Sequence, residues 1–196
     1  KRQSACSGCN NGEGWSKAVM KKPAVFLDRD GVITTEKSYV LKLSELETFP
    51  YSKAAIDMIH EKGYWAIVIT NQSAVGRGML PEDELKRMNE FLQDATGVDA
   101  VFYCPHWSEK GTICNCRKPQ TGLIQRAMEQ YDIDLDKSYF VGDRASDIEC
   151  GQNMGIKTVL LESGYGTKRL EKNIMADYTY ADLMEFVKRE LVCAEK

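Results

Sequence analysis

The chain has 196 residues, of which 43% are hydrophobic and 28% charged, and its formal net charge is −3. This length suits one domain with a sizeable core, and the lack of a basic excess argues against a general nucleic-acid partner. The longest central apolar run, residues 65–69, is far too short to cross a membrane, and no apolar signal-peptide core opens the chain. We therefore expect a cytoplasmic, monomeric protein that binds neither nucleic acid nor membranes.

Residues 1–22 are predicted to form a disordered lead-in, followed by a single domain over residues 23–196. The lead-in is polar, rich in Gly, Ser and Asn, and contains the CxxC motif Cys6-Ser7-Gly8-Cys9. Without a strand and helix around it, this motif is weak evidence for redox or metal chemistry. Whether the lead-in is native or an expression remainder stays open.

From Pro23 onward, short apolar runs alternate with helical patterns. Buried strands are predicted at residues 24–27, 65–70, 99–104, 138–141 and 157–161, with a short edge strand at 178–180. Helices are predicted at residues 52–62 (capped by Ser52 and ended by Gly63), 81–95, 121–131, 147–154 and 181–193. This alternation predicts an α/β fold, a three-layer Rossmann-like domain with a central, mostly parallel sheet.

Polar residues stand where the predicted strands end, and ligands of open parallel sheets bind at that edge. Asp28 is suited to nucleophilic attack on a phosphoryl group, and Asp30 to proton transfer as general acid and then base. An ordinary polar turn at this point is the alternative interpretation. Asp143 and Asp147 would complete an oxygen-ligand set for Mg²⁺, although a helix cap and a first-turn charge explain them equally well in isolation.

Candidate phosphate contacts follow the second and third strands. Hydroxyl, amide and backbone donors would come from Thr70, Asn71, Gln72 and Ser73. Positive charge for the transferring phosphoryl group would come from Lys118 together with Arg117. The alternative interpretation is that these two residues belong to a solvated loop.

These motifs, Asp28-Arg29-Asp30-Gly31-Val32, Thr70, Lys118 and Gly142-Asp143-Arg144-Ala145-Ser146-Asp147, resemble in this order those of the haloacid-dehalogenase-like phosphohydrolases. The resemblance implies an Mg²⁺-dependent phosphatase that forms an aspartyl-phosphate intermediate. It implies a nucleophile at Asp28, an acid/base at Asp30, and phosphate contacts from Thr70, Lys118 and Arg144. It also implies Mg²⁺ ligands from Asp28, the Asp30 carbonyl and Asp143, supported by Asp147.

Many members of that family carry a cap domain after the first motif or between the second and third. Here one loop and one helix are predicted between Asp28 and Thr70, and too little chain separates Thr70 from Lys118. We therefore expect no cap domain and an open site whose substrate is recognised by loops of the core.

A second metal site is predicted from Cys104-Pro105-His106 and Cys114-Asn115-Cys116. Three thiolates and an imidazole in two tight pairs suit tetrahedral, structural Zn²⁺, and four protein ligands leave no open position. The odd total of seven cysteines also argues against a disulfide framework. Such a site would pin the loop that carries Arg117 and Lys118.

The Cys/His pairs followed by Arg117-Lys118-Pro119, together with residues 70–78, are similar to the D-glycero-D-manno-heptose 1,7-bisphosphate 7-phosphatases. The related histidinol-phosphate phosphatases are the alternative. Arg77 would meet the second phosphate or sugar oxygens, and the histidinol-phosphate enzymes have no arginine at the corresponding position. Ala74 in place of a common glycine, and residues 34–38, depart from the usual heptose pattern. An alternative of another class is a zinc-stabilised domain that binds a phosphorylated ligand without hydrolysing it.

Overall fold

The computed structural model describes residues 21–107, 114–165 and 174–192. Of the features predicted from sequence, Cys6, Cys9 and almost all of the lead-in lie outside these residues, as does Cys193 at the end of the last predicted helix. No helix in the described part of the chain is long and apolar enough to cross a membrane.

Six strands of the described residues form one sheet in which every neighbouring pair is parallel. They are β1 (Lys22–Leu27), β2 (Trp65–Asn71), β3 (Ala100–Cys104), β4 (Ile133–Gly142), β5 (Lys157–Leu161) and β6 (Tyr178–Tyr180). Their spatial order is β3-β2-β1-β4-β5-β6, so the winding reverses between β1 and β4. The predicted α/β fold is confirmed, and the carboxyl ends of β1 and β4 mark its topological switch point.

Helices flank the sheet on both faces. They are α1 (Ser52–Glu61), α2 (Ser73–Gly76), α3 (Glu82–Thr96), α4 (Gly122–Gln130), α5 (Ala145–Asn153) and α6 (Leu183–Phe186), which continues as a π-helix over Val187–Val192. A short 3₁₀ helix also spans Leu43–Glu45.

Alternate residues of the strands feed two separate cores, which makes the molecule three-layered. On one face of β1, Val25 and Leu27 pack with Ile56 of α1 and Phe186 of α6. On the other face the partners of Ala24 and Phe26 include Ile124 of α4 and Cys150 of α5. The absence of polar alternation in these strands is explained by burial on both faces.

The predicted cap of α1 is wrong. Ser52 is the first helical residue, Tyr51 occupies the cap position, and the buried Ser52 hydroxyl donates to the Ile33 carbonyl at 2.7 Å. Gly63 follows the helix with φ of 78°, as its predicted role requires. The short α2 and the early start of α5 at Ala145 were not predicted, because both begin in the polar loops that form the site.

Candidate active site

A pocket of about 310 Å³ opens at the carboxyl ends of β1, β2 and β4. Its walls include all the residues predicted to act on or bind the phosphate: Asp28, Asp30, Thr70, Asn71, Gln72, Ser73, Arg77, Arg117, Lys118 and Arg144. Residues from four separate stretches of the chain therefore meet at the switch point of the sheet. What each side chain does there depends on its contacts.

Three buried carboxylates lie together beneath this pocket. One oxygen from each of Asp28, Asp143 and Asp147 lies within 4.8 Å of the others. Burial raises the pKa of Asp143 to about 8, and the neighbouring Asp28 and Asp147 carboxylates add to that rise. Asp143 Oδ1 has no hydrogen-bond partner among the described residues, and the Arg144 Nε atom lies 3.8 Å away. Concentrated negative charge with an unused oxygen fits a divalent cation that prefers oxygen ligands, such as Mg²⁺.

Lys118 is the cation inside this cluster. Its buried Nζ lies 2.8 Å from Asp28 Oδ1 and 2.7 Å from Asp147 Oδ1, and it donates to the Ile69 carbonyl at 2.7 Å. Burial alone would lower the pKa of Lys118, but the Asp147 and Asp28 charges hold it well above its usual range. For the acid Asp28, burial has the opposite effect and raises the pKa to about 6, although the Lys118 charge opposes that rise. Lys118 therefore stays protonated beside Asp28.

A loop after β5, which the sequence analysis did not single out, holds Asp143 in place. The Tyr165 backbone N–H donates to Asp143 Oδ2 at 2.8 Å, and the Ser163 hydroxyl donates to the Gly31 carbonyl at 2.6 Å. A Cβ on Gly31 would lie 2.5 Å from Asp143 Oδ2, and a Cβ on Gly164 would overlap the same carboxylate. Gly31 also adopts φ of 86°. The available signal was the Ser- and Gly-containing turn directly after a predicted strand.

Asp30 is not part of the carboxylate cluster and has its own set of donors. Arg29 Nε and Nη2 approach its two oxygens at 2.9 to 3.2 Å, Thr34 Oγ1 donates at 3.1 Å, and Gln72 Nε2 donates at 2.9 Å. Burial alone would raise the pKa of Asp30, but the Arg29 charge and these hydrogen bonds hold it below its ordinary value. The same Gln72 nitrogen donates to Thr70 Oγ1 at 3.0 Å. Gln72 thus connects the acid/base candidate to the phosphate-binding candidate.

Asn71 is engaged with the backbone of Lys118. Its side-chain nitrogen donates to the Lys118 carbonyl at 3.2 Å, and its side-chain oxygen accepts from the Lys118 N–H at 3.0 Å. These reciprocal bonds tie the end of β2 to the loop that carries the lysine. Asn71 lines the pocket as predicted, but its contacts describe a support for Lys118.

Aromatic rings hold the cations at the rim. The Arg77 guanidinium carbon lies 4.0 Å from the centre of the Trp107 ring and 6.0 Å from that of Tyr39. Stacking of this kind orients a guanidinium while leaving its N–H groups free for anions. Tyr39 belongs to the loop after the first motif and Trp107 to the cysteine loop, so Arg77 bridges the two sides of the pocket.

Arg144 is held in a comparable way on the opposite rim. Its Nη2 lies 3.1 Å from Glu36 Oε1, and its guanidinium carbon is 4.3 Å from the centre of the Tyr165 ring. Glu36 lies within the 34–38 segment whose sequence departs from the usual heptose pattern. The departure therefore falls on a residue that contacts a pocket cation.

The second metal candidate is assembled at the end of β3. Cys104 Sγ lies 3.8 Å from Cys114 Sγ and 3.3 Å from Cys116 Sγ, and His106 Nδ1 lies 3.5 Å from Cys104 Sγ and 3.2 Å from Cys116 Sγ. A tetrahedral site with Zn–S bonds of about 2.3 Å needs sulfur atoms about 3.8 Å apart. The donor set and its spacing fit a closed zinc site, with Nδ1 as the histidine ligand.

This cluster is packed against the side of the pocket that carries the predicted phosphate contacts of β2 and α2. The Gly76 N–H donates to the Pro105 carbonyl at 2.8 Å, and a Cβ on Gly76 would lie 2.5 Å from the Trp107 nitrogen. The Arg117 guanidinium donates to the His106 carbonyl at 3.4 Å. The loop that carries the cysteine cluster is therefore in direct contact with α2, and Arg117 and Lys118 follow its last cysteine.

A parallel sheet of this order, with an Asp-x-Asp motif after its first strand and a lysine between buried carboxylates, defines a haloacid-dehalogenase-like hydrolase. The HAD-hydrolase-like family profile matches residues 115–186. D-glycero-beta-D-manno-heptose-1,7-bisphosphate 7-phosphatase of Haemophilus ducreyi is 36% identical in an alignment of 156 positions, which covers 74% of this chain and 86% of that protein. D-glycero-D-manno-heptose-1,7-bisphosphate 7-phosphatase of Thermosynechococcus vestitus is 33% identical, over 89% of this chain and 94% of that protein.

The crystal structure of D,D-heptose 1,7-bisphosphate phosphatase from B. bronchiseptica, complexed with magnesium and phosphate, superposes with a TM-score of 0.77. It is 29% identical in sequence, and the match covers 85% of this chain and 96% of that one. The chain thus belongs to the HAD-like hydrolases, in the family of the D-glycero-D-manno-heptose-1,7-bisphosphate 7-phosphatases.

Proposed function

We propose that this chain is an Mg²⁺-dependent phosphatase that removes the 7-phosphate of D-glycero-D-manno-heptose 1,7-bisphosphate through an aspartyl phosphate on Asp28. The observation that carries the proposal is the buried Asp28–Lys118–Asp147 contact beneath a pocket whose rim holds three more cations. The names of the relatives support the choice of substrate.

Mg²⁺ would be held by Asp28, Asp143 and the Asp30 carbonyl, with Asp147 in support, as the cluster of carboxylate oxygens favours. When bound, the ion would neutralise charge on the phosphoryl oxygens and on the carboxylates that face them. Asp147 has a second task, since its Oδ2 accepts the backbone N–H groups of Asp143 and Arg144 at 3.2 and 3.0 Å. It thereby shapes the turn that presents Asp143.

The chain's own residues would divide the reaction into two steps. Asp28 attacks phosphorus while Asp30, which takes up a proton when the negatively charged substrate lies beside it, gives that proton to the departing sugar oxygen. Asp30 then takes a proton from the water that hydrolyses the aspartyl phosphate. Lys118 keeps the Asp28 carboxylate ionised and offers positive charge to the phosphoryl oxygens. Thr70, oriented by Gln72, donates its hydroxyl to the same oxygens.

Substrate recognition would rest on the arginines of the rim. Arg77 is stacked and lacks a carboxylate partner among the ion pairs of the described residues, so its N–H groups suit the second phosphate. Arg117 and Arg144 would bind the remaining phosphate and sugar oxygens. Between β1 and β2 the chain forms only the 3₁₀ helix, α1 and loops, which supports a capless, open site.

We further propose that the cysteine cluster binds a structural Zn²⁺ through Cys104, His106, Cys114 and Cys116. Its role would be to hold the loop ending at Lys118 in the geometry described above. A single domain from residue 23 onward, a monomeric state and a cytoplasmic location remain predictions.

The test is hydrolysis of both anomers of heptose 1,7-bisphosphate, with histidinol phosphate as the competing substrate and with Mg²⁺ present or absent. We expect Mg²⁺-dependent release of one phosphate, and higher kcat/KM for a heptose bisphosphate than for histidinol phosphate. Asp28→Asn should abolish turnover, whereas Asp57→Asn, an exposed change of the same chemistry on α1, should not.

Each contrary result is specific. Ligand binding without turnover would favour the non-catalytic, phosphate-binding alternative. Turnover that survives Asp28→Asn would refute the covalent route, and a preference for histidinol phosphate would replace the substrate.

A further inference from the structure

The carboxylate of Asp30 is held by contacts with three side chains. Two nitrogens of Arg29 approach it as a fork, Thr34 Oγ1 contacts Oδ1, and Gln72 Nε2 contacts Oδ2. These contacts hold Asp30 in one orientation. The Thr34 hydroxyl also lies 3.1 Å from the Arg29 carbonyl, so it can give its single proton to that carbonyl and leave Asp30 Oδ1 able to carry the proton that Asp30 donates. Neither Lys118 nor Arg144 is within salt-bridge distance of Asp30 in the described residues.

The two acids of the first motif therefore have separate cations. Lys118 contacts Asp28, and Arg29 contacts Asp30, although Arg29 stands between them in the sequence. This separation matters because two carboxylates two residues apart would otherwise compete for the same lysine. A nucleophile and an acid/base can differ in behaviour only if their surroundings differ.

Burial of the Arg29 guanidinium costs free energy of desolvation. Its side chain is 1% exposed, and its Nη1 has no hydrogen-bond partner among the described residues. Buried ion pairs often add little to stability compared with apolar residues of similar size, and an unpaired N–H makes this one costlier still. The contacts of Arg29 are therefore better explained by their effect on Asp30 than by a gain in folding stability.

Gln72 completes the arrangement, and Arg29 determines which way its amide faces. Gln72 Oε1 accepts from Arg29 Nη2 at 3.0 Å, so Nε2 is the atom directed at Asp30 Oδ2 and Thr70 Oγ1. One amide therefore sets the position of the proton-transfer carboxylate relative to the hydroxyl that would contact the phosphate. The sequence pattern alone predicts Gln72 as a contact of the phosphate itself.

We propose that Arg29 and Gln72 are positioning residues that act through Asp30, holding its carboxylate where it serves the leaving oxygen. This inference rests on the proposed phosphatase activity. The affected part of the reaction is proton donation to the leaving oxygen. This donation matters most when the leaving group is strongly basic. Loss of the positioning should therefore harm substrates in proportion to leaving-group basicity.

The experiment measures kcat/KM for a series of phenyl phosphates of similar size, from 4-nitrophenyl to 4-methoxyphenyl phosphate, in Mg²⁺. The variants are Arg29→Lys, which keeps the charge but loses the fork, and Gln72→Met, which keeps the volume but loses the amide. General acid catalysis is worth about 10²- to 10⁴-fold, so we expect a loss of about 30-fold or more at the basic end and about 3-fold or less at the acidic end. The plot against leaving-group pKa becomes steeper for both variants.

Two further measurements separate positioning from a merely structural role. Asp30→Asn should give the steepest plot, and adding Arg29→Lys to it should cost little more, because the arginine acts through that carboxylate. Arg87→Lys, an exposed exchange of the same type on α3 beside Glu84, should leave the plot unchanged. If Arg29→Lys fails to fold, Gln72→Met carries the same test.

Equal losses across the series, or losses that multiply in the Arg29→Lys/Asp30→Asn double variant, would overturn the inference while leaving the phosphatase assignment intact. A wild-type protein that hydrolyses neither the phenyl phosphates nor heptose bisphosphate would overturn both.

Discussion

Replacing Lys118 by methionine removes the cation from three buried carboxylates. Its Nζ lies 2.8 and 2.7 Å from two carboxylate oxygens, and the side chains of Asp28 and Asp147 are only 8% and 0% exposed. At an effective dielectric constant of about 20, each contact is worth about 6 kcal/mol before desolvation. Desolvation offsets much of this, and breaking a buried pair typically costs about 3–5 kcal/mol.

We therefore expect Lys118→Met to lower the free energy of unfolding by about 3–5 kcal/mol in Mg²⁺-free buffer. For a chain of this size, that change corresponds to a decrease in Tm of about 6–20 °C. Urea denaturation followed by circular dichroism, with a thermal scan, measures both quantities. Phosphatase activity should fall by at least about 100-fold, because positive charge beside the phosphoryl group is lost.

The matched control is Lys53→Met on α1. Lys53 pairs with Asp57, but the two side chains are 57% and 49% exposed, so the change should cost less than about 1 kcal/mol. If Lys118→Met destabilises the protein no more than this control, the carboxylates do not depend on the lysine and the electrostatic argument fails.

Three further substitutions test other parts of the site. Cys114→Ser should abolish zinc binding, because a thiolate ligand is lost, and elemental analysis measures the zinc content. The same variant should lose at least about tenfold in activity, because the loop before Lys118 loosens. Arg77→Ala should raise KM for the heptose bisphosphate about 10- to 100-fold while changing hydrolysis of a phenyl phosphate little, since a charge-assisted bond is worth about 1.5–3 kcal/mol. Gly164→Ala should weaken Mg²⁺ activation at least about tenfold, measured as the Mg²⁺ concentration for half-maximal rate, because the new methyl group displaces Asp143.

Each of these has a defined contrary outcome. Wild-type protein without zinc, or zinc retained in Cys114→Ser but lost in Cys150→Ser, would refute the ligand set, since Cys150 lies outside the cluster. An equal effect of Arg77→Ala and the exposed Arg87→Ala on KM would remove the argument for a second phosphate at Arg77. Unchanged Mg²⁺ dependence in Gly164→Ala would show that the β5 loop does not position the metal ligand.

The sequence predicts the fold and the residues that make up the site. Apolar runs without polar alternation predict strands buried on both faces, and a strand's chain direction determines which residue stands at its carboxyl end. This is why Asp28, Thr70, Cys104 and Asp143 were found as a converging set. Helix ends were less accessible: Ser52 has the chemistry of a cap, but tertiary contact with Ile33 gives its hydroxyl another partner.

The sequence by itself determined which kinds of groups reach the edge of the sheet, because that follows from local patterns. Only the tertiary structure decided how those groups are paired. Gln72 is bonded to Asp30, 42 residues away, and Asn71 to Lys118, 47 residues away, while Ser163 bonds Gly31 across 132 residues. No local pattern encodes such contacts, since they depend on where separate loops meet once the sheet has formed. The Asp-x-Asp motif predicts two carboxylates at one strand end, and the folded protein gives each of them a different cation.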